Sequence, residues 1–294
     1  MPETREDHES SPSGAQRPTE LDQPMFTDSG AQGAAGDAAK IRAFFGQHAE
    51  DYRRSSSHRS GSDLQRLLEL MGPEPGHRLL DVATAAGHTG LTFAPHVAEV
   101  VGLDLTPAMG EAFRREAEER GVTNARFVLG DVHRLPFASA TFDLVTCRRA
   151  AHHFPDVPRA LAEMVRVLKP GGRLGIADMT APEDPAAATL FNDLERIRDD
   201  SHGWAHAPRA WAELLQRAGL KVEAVEVLEE VVSPEAWLYP VAATGEILQR
   251  LNERLAAEEE GVRQQVVVED GQGWHLRKRR VVAVARRPLP GEAR

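Results

Sequence analysis

Cysteine is nearly absent from this chain. Its 294 residues contain only Cys147, which excludes an intramolecular disulfide framework. That residue falls inside an apolar run and reads as a small core side chain. No apolar stretch reaches the ~18 residues of a membrane span, and the first residues lack the basic-then-apolar pattern of a secretory signal. Positive charge is also in deficit. Against 45 Asp and Glu stand 35 Lys and Arg, a formal net charge of -10 that suits a phosphate backbone poorly. No repeat of solenoid period is visible. These absences leave a soluble, cytoplasmic chain, long enough for one large α/β domain or two small ones.

Residues 1–38 are rich in Ser, Gly, Pro, Glu, Asp and Gln and read as a disordered tail, because they cannot bury enough apolar surface to offset their ordering entropy. Helical spacing begins at Ile41, Phe44 and Phe45. A second helix over residues 62–71 carries Leu64, Leu67, Leu68 and Leu70, so residues 39–75 form a helical cap. Strands then read near 78–82, 99–103, 125–129, 142–147 and 173–178, and helices near 88–96, 108–120, 157–168 and 187–200. Such alternation predicts a parallel sheet with helices on both faces. A helix over 208–218, a strand over 221–229 and an alternating run over 279–287 close the chain. Between the last two strands, residues 233–261 read as helical, with Leu248, Leu251 and Leu255 on one face. Residues 266–276 read as an extra hairpin turning at Asp270-Gly271.

Residues 79–90 (LLDVATAAGHTG) carry the most information. An apolar run ends in Asp81 and breaks into small residues, and about twenty residues on a second run, Val100-Val101-Gly102-Leu103, ends in Asp104. A buried parallel strand reads as such a run, small residues let backbone pass close to a ligand, and an acid at the next strand tip suits ribose hydroxyls. An adenosine-containing cofactor is the expectation. A nicotinamide dinucleotide fits badly, because only Gly87 and Gly90 of the G-x-G-x-x-G fingerprint are present.

The acid ahead of a small-residue loop resembles the E/D-x-G-x-G-x-G motif of class I S-adenosylmethionine-dependent methyltransferases. Further segments match in order: residues 100–109 (VVGLDLTPAM), 127–137 (FVLGDVHRLPF), 142–154 (FDLVTCRRAAHHF) and 168–173 (LKPGGR). The resemblance covers roughly residues 42–288 and is closest to the ubiquinone/menaquinone C-methyltransferase branch. It implies a Rossmann-like, seven-stranded, mostly parallel sheet with an antiparallel last strand, spanning residues 39–290. It also implies an insertion at 233–276 in a position where the family often covers its substrate, and S-adenosylmethionine as cofactor.

Carried over residue by residue, the resemblance gives Asp81 to the methionine ammonium and Ala83, Thr84, Ala85 and Gly87 to the loop beside the methionine and ribose. The helix from about His88 would turn its first N–H groups toward that loop. Asp104 falls to the ribose hydroxyls, Leu105 and Met109 to the adenine faces, and Asp131 with the Val132 N–H to the adenine edge. Arg148 would reach the methionine carboxylate. Ala85 departs from the usual glycine, and if that position needs a positive φ an L-residue costs about 1–2 kcal/mol there.

For an acceptor that must lose a proton, histidine is the natural base near neutral pH. His153, ranked first, and His152 stand where the quinone branch carries Arg-Asn, so its substrate is not carried over. Tyr52 matches the tyrosine that covers the cofactor in that branch, and His58 follows as a weaker candidate. The reading is a methyltransferase of a small-molecule acceptor at an unassigned O, N or C atom. No nucleic-acid partner and no membrane span are expected, and a homodimer is left open. The alternative is a non-catalytic, methyltransferase-like ligand-binding or regulatory protein, which Ala85 favours slightly and the three strand-end acids oppose. An RNA methyltransferase is disfavoured by the acidic balance and by the lack of an Asn-Pro-Pro-Tyr-type motif.

Overall fold

Runs of apolar residues buried on both faces set the centre of this molecule, and the computed structural model describes residues 53, 59–239, 243–271 and 273–292. The tail, the helix expected near Ile41, Tyr52 and His58 lie outside the described residues. Helix α1 (Ser62–Met71) buries Leu64, Leu67 and Met71 and stops at Gly72, which turns left-handed at φ 51°. There follow β1 (Arg78–Val82), α2 (His88–Phe93), β2 (Glu99–Asp104), α3 (Pro107–Glu119), β3 (Ala125–Leu129) and β4 (Phe142–Arg148). Then come α4 (Val157–Val167), β5 (Leu168–Met179), α5 (Pro185–Arg198), α6 (Pro208–Arg217) and β6 (Lys221–Val232). The chain closes with α7 (Pro234–Leu238), α8 (Gly245–Ala256), α9 (Glu260–Val266), β7 (Val267–Asp270) and β8 (Gly273–Arg286).

The strand order is β3-β2-β1-β4-β5-β8-β6, with β8 antiparallel to both neighbours. The expected seven strands become eight, because β7 folds back on the start of β8 with Asp270 opposite Gly273. The last strand also begins earlier than the run at 279 suggested. Its cations are held by cross-strand carboxylates: Arg277 and Arg279 by Glu229, and Lys278 and Arg280 by Glu230.

Successive residues of a strand point to opposite faces, so Leu79 and Leu80 enter different cores. Leu80, Val82, Val145 and Ile176 pack with α4 and α6 through Leu161, Trp211 and Leu215. Leu79, Leu144, Ala177 and Val282 pack with α1 through Leu64 and Leu67. A further core joins α5 to the inserted helices, where Leu190, Phe191 and Leu194 meet Trp237, Leu251 and Leu255. No helix among the described residues is long and apolar enough to cross a membrane. The sheet's order reverses direction between β1 and β4, and in open α/β sheets such a reversal opens a crevice at the carboxyl ends of the strands.

Candidate active site

The loop after β1 is built around Asp81, which is 1% exposed. Its Oδ2 accepts from the Thr84 hydroxyl at 2.6 Å and the Gly90 N–H at 3.0 Å, and its Oδ1 accepts from the Thr146 hydroxyl at 2.9 Å. Burial nevertheless raises its pKa. One carboxylate thus joins the loop, α2 and β4. It turns Thr84 inward, and it takes the Gly90 N–H from the first turn of α2, one of the groups expected to point at the loop.

The loop itself is strained. Ala83 and Ala85 sit at φ 53° and 48°, and Gly87 at 90°. The positive φ that would strain an alanine at position 85 is thus present there and shared by Ala83, at about 1–2 kcal/mol for each left-handed L-residue. At Gly87 a side chain is excluded twice over, because a Cβ there would lie 2.5 Å from the Phe113 ring.

Asp104, half-buried at the tip of β2, takes one backbone N–H on each oxygen. Ala85 donates to Oδ2 and Thr106 to Oδ1, each at 2.9 Å. This fixes the carboxylate plane and leaves lone pairs on both oxygens for further donors. Burial raises its pKa. Leu105 beside it is half-buried, whereas Met109 is 1% exposed and packs inside α3. The exposed Asp131 folds onto its own turn, where Oδ1 accepts the His133 N–H at 2.9 Å and lies 2.8 Å from His133 Nδ1. The Val132 side chain is buried. Arg148 forks onto Asp63 of α1, with Nε at 2.8 Å and Nη2 at 3.0 Å, and both side chains are buried.

After β4 the chain makes a 3-10 turn, Ala151–His153. The buried His152 is held twice by Asp178, whose Oδ2 accepts its backbone N–H at 3.0 Å while Oδ1 lies 2.6 Å from its Nδ1. Because Asp178 accepts, Nδ1 carries the proton and Nε2 presents the lone pair. Burial opposes charge on this ring, but the Asp178 carboxylate outweighs it and raises the pKa. Reciprocally, burial would raise Asp178, and the His152 charge overcomes this to lower it.

His153 differs. Its ring centroid is 4.0 Å from that of His152, its Nδ1 donates to the Ser201 carbonyl at 2.9 Å, and burial with the neighbouring His152 charge brings its pKa to about 4. Behind them lies His202, whose ring is 5.6 Å from His152. The Ala205 N–H donates to Asn192 Oδ1 at 2.7 Å and so fixes that amide, and His202 Nε2 must then donate to the same oxygen at 2.8 Å. His202 Nδ1 is buried and, among the described residues, has no hydrogen-bond partner, and burial with the His152 and His153 charges brings the pKa to about 2.

The structure therefore gathers Asp81, the loop 83–87, Asp104 and the His152 turn at the carboxyl edge where strand order reverses. Asp131 stands aside at the β3 border, and Tyr52 lies outside the described residues. Asp178 and Asp63 were not anticipated from sequence.

Comparison with known proteins settles the family. A methyltransferase-domain family model matches residues 80–176. The uncharacterized methyltransferase YcgJ of Bacillus subtilis is 38% identical over 194 residues, covering 66% of this chain and 77% of the relative. The chain belongs to the class I methyltransferases. The solved structure of the Bacillus subtilis YcgJ protein superposes on the methyltransferase with a TM-score of 0.73 at 29% identity, covering 79% of this chain and 100% of that one. The ubiquinone/menaquinone biosynthesis C-methyltransferase of Ectopseudomonas mendocina is 35% identical over 164 residues, which span 53% of this chain and 64% of the relative.

Proposed function

We propose that this enzyme transfers a methyl group from S-adenosylmethionine to a small-molecule acceptor, with His152 as the base where the acceptor must lose a proton. The observation that carries the cofactor half is Asp104, half-buried at a strand tip, with each oxygen oriented by one backbone N–H and able to take a ribose hydroxyl besides. The donor set fits the group: a fixed carboxylate for the diol, a loop of small residues beside it, and the charge of Asp81 beneath. When bound, S-adenosylmethionine supplies a methyl carbon on a sulfonium that is its own leaving group.

The chain's residues then have three tasks. Asp81 holds the loop, Asp104 orients the nucleoside, and the turn after β4 presents His152 Nε2 toward the acceptor. His152 ranks ahead of His153, because Asp178 keeps it more basic whereas His153 at about 4 is a poor base near neutrality. We give Arg148 the role of tying α1 to β4 through Asp63, in place of a methionine carboxylate contact. Met109 becomes a packing residue, and Asp131 an adenine-edge acceptor on its outer side. The small-molecule class rests on the chain's acidic balance and on the inserted helices α7, α8 and α9, which pack against α5.

The test is transfer of labelled methyl from S-adenosylmethionine to a panel of hydroxyl, amine and activated-carbon acceptors. Label in a small-molecule product that is lost with Asp104→Ala supports the reading. Label found only in added RNA or protein overturns it.

A further inference from the structure

A second charged cluster occupies the carboxyl edge of the sheet, on the face opposite Asp178. Arg149 follows β4, and β8 brings up Lys278 and Arg280, the latter paired in register with Met179 at the end of β5. Asp63 accepts from Arg149 Nε at 3.0 Å and Nη2 at 2.8 Å while also holding Arg148. Glu230 Oε1 lies 3.0 Å from Arg280 Nη1 and 3.4 Å from Lys278 Nζ. Among the described residues each acid serves two cations, in a chain whose net charge is -10.

The two arginines are withdrawn from water and the lysine is half-buried. The side chains of Arg149 and Arg280 are each 11% exposed and that of Lys278 is 30% exposed. Burial, reinforced by Arg280, pulls the Lys278 pKa down, and burial with Arg149 does the same to Arg280. Like charges held together at this depth are costly unless an anion joins them. Arg149 is also left-handed, at φ 53°, with its N–H donated to the Ala177 carbonyl at 2.7 Å. Such backbone strain collects at ligand clamps. Lys278 and the exposed Glu230 open the cluster to solvent.

We propose that Arg149, Arg280 and Lys278 form a binding site for an anionic group, carboxylate or phosphate, of the methyl acceptor. The word acceptor rests on the methyltransferase reading; the anion site does not. Asp178 and Met179 are successive residues of β5, so their side chains leave opposite faces of one strand end. An acceptor lying across that end keeps its anion on the arginine side and its reacting atom toward His152.

The test is calorimetry on the full chain with benzoate and phenyl phosphate as probes and benzyl alcohol as neutral control, with and without S-adenosylhomocysteine. The wild type binds the anions and not the alcohol. Lys278→Met, which keeps the stem and removes the charge, weakens anion binding about 10-fold or more, as expected for a lost charge-assisted hydrogen bond. It leaves S-adenosylhomocysteine affinity within about twofold. Absent anion binding, or equal binding by wild type and variant, overturns the proposal. An equal loss of S-adenosylhomocysteine affinity overturns it too, because the cluster would then read the cofactor's own carboxylate. A wild type that ignores S-adenosylhomocysteine defeats the methyltransferase reading instead, while the titrations without nucleoside still decide the anion site.

Discussion

His152 Nδ1 lies 2.6 Å from Asp178 Oδ1, and the same carboxylate accepts the His152 backbone N–H through its other oxygen at 3.0 Å. Two bonds from one buried acid fix the ring's position, its tautomer and its basicity together. In the proposed reaction, that acid selects which of the two adjacent histidines serves as the base.

His152→Ala is expected to lose about 10²–10⁴-fold in turnover for an acceptor that must be deprotonated, with cofactor affinity unchanged. His153→Ala loses far less. Initial rates with a phenolic or amine acceptor check the ranking, and a larger loss in the His153 variant would reverse it.

The pH profile follows from the same pair. Only neutral His152 accepts a proton, and Asp178 raises its pKa, so turnover falls as pH drops through a value above the ordinary 6.5. Asp178→Asn removes the charge that favours imidazolium, so the inflection moves to lower pH while maximal turnover declines. A profile unmoved by Asp178→Asn would separate the acid from the base.

Asp63 is the buried partner of two arginines. Burial would raise its pKa, but Arg149 and Arg148 outweigh that and hold it well below the carboxylate range. A depressed carboxylate stabilises the fold above its unfolded pKa, and that contribution is lost as pH falls through the folded value. Asp63→Asn leaves both cations facing a neutral group and costs about 3–5 kcal/mol. That is a fall of roughly 6–20 °C in Tm for a domain of this size, read by calorimetry at pH 7.

Ala85→Gly relieves a left-handed alanine at φ 48°. Cofactor binding is expected to stay equal or tighten. Global stability should change by less than about 1 kcal/mol, because the glycine also loosens the unfolded chain. Binding several-fold weaker in a folded variant would show that the alanine methyl makes a favourable contact.

Much of the architecture was legible because it rests on local rules. Apolar runs such as those ending in Asp81 and Asp104 form the buried strands, and Asp270-Gly271 marks the hairpin of β7 and β8. The start of β8 was obscured because its residues 277–280 are all cations (RKRR), and it is neighbouring glutamates that let them stand in a sheet. Asp178 carried the same signal as Asp81, an acid closing an apolar run (LGIAD). Its partner His152 lies 26 residues away, and only the parallel pairing of β4 with β5 brings the two together. The Asp63–Arg148 pair had no local signal, since the two are 85 residues apart and meet only when α1 packs on the sheet. Nor could spacing tell which of two adjacent histidines would meet a carboxylate, because that depends on side-chain direction in a 3-10 turn.

Calorimetric titration of S-adenosylmethionine into the wild type and Asp104→Ala tests the central claim most directly. The wild type is expected to bind one equivalent, and the folded variant to bind more weakly by about 1.5–3 kcal/mol, the range for hydrogen bonds to a charged acceptor. Equal affinity in the two proteins, or no binding by the wild type, would contradict the assignment of the strand-tip carboxylate to the nucleoside.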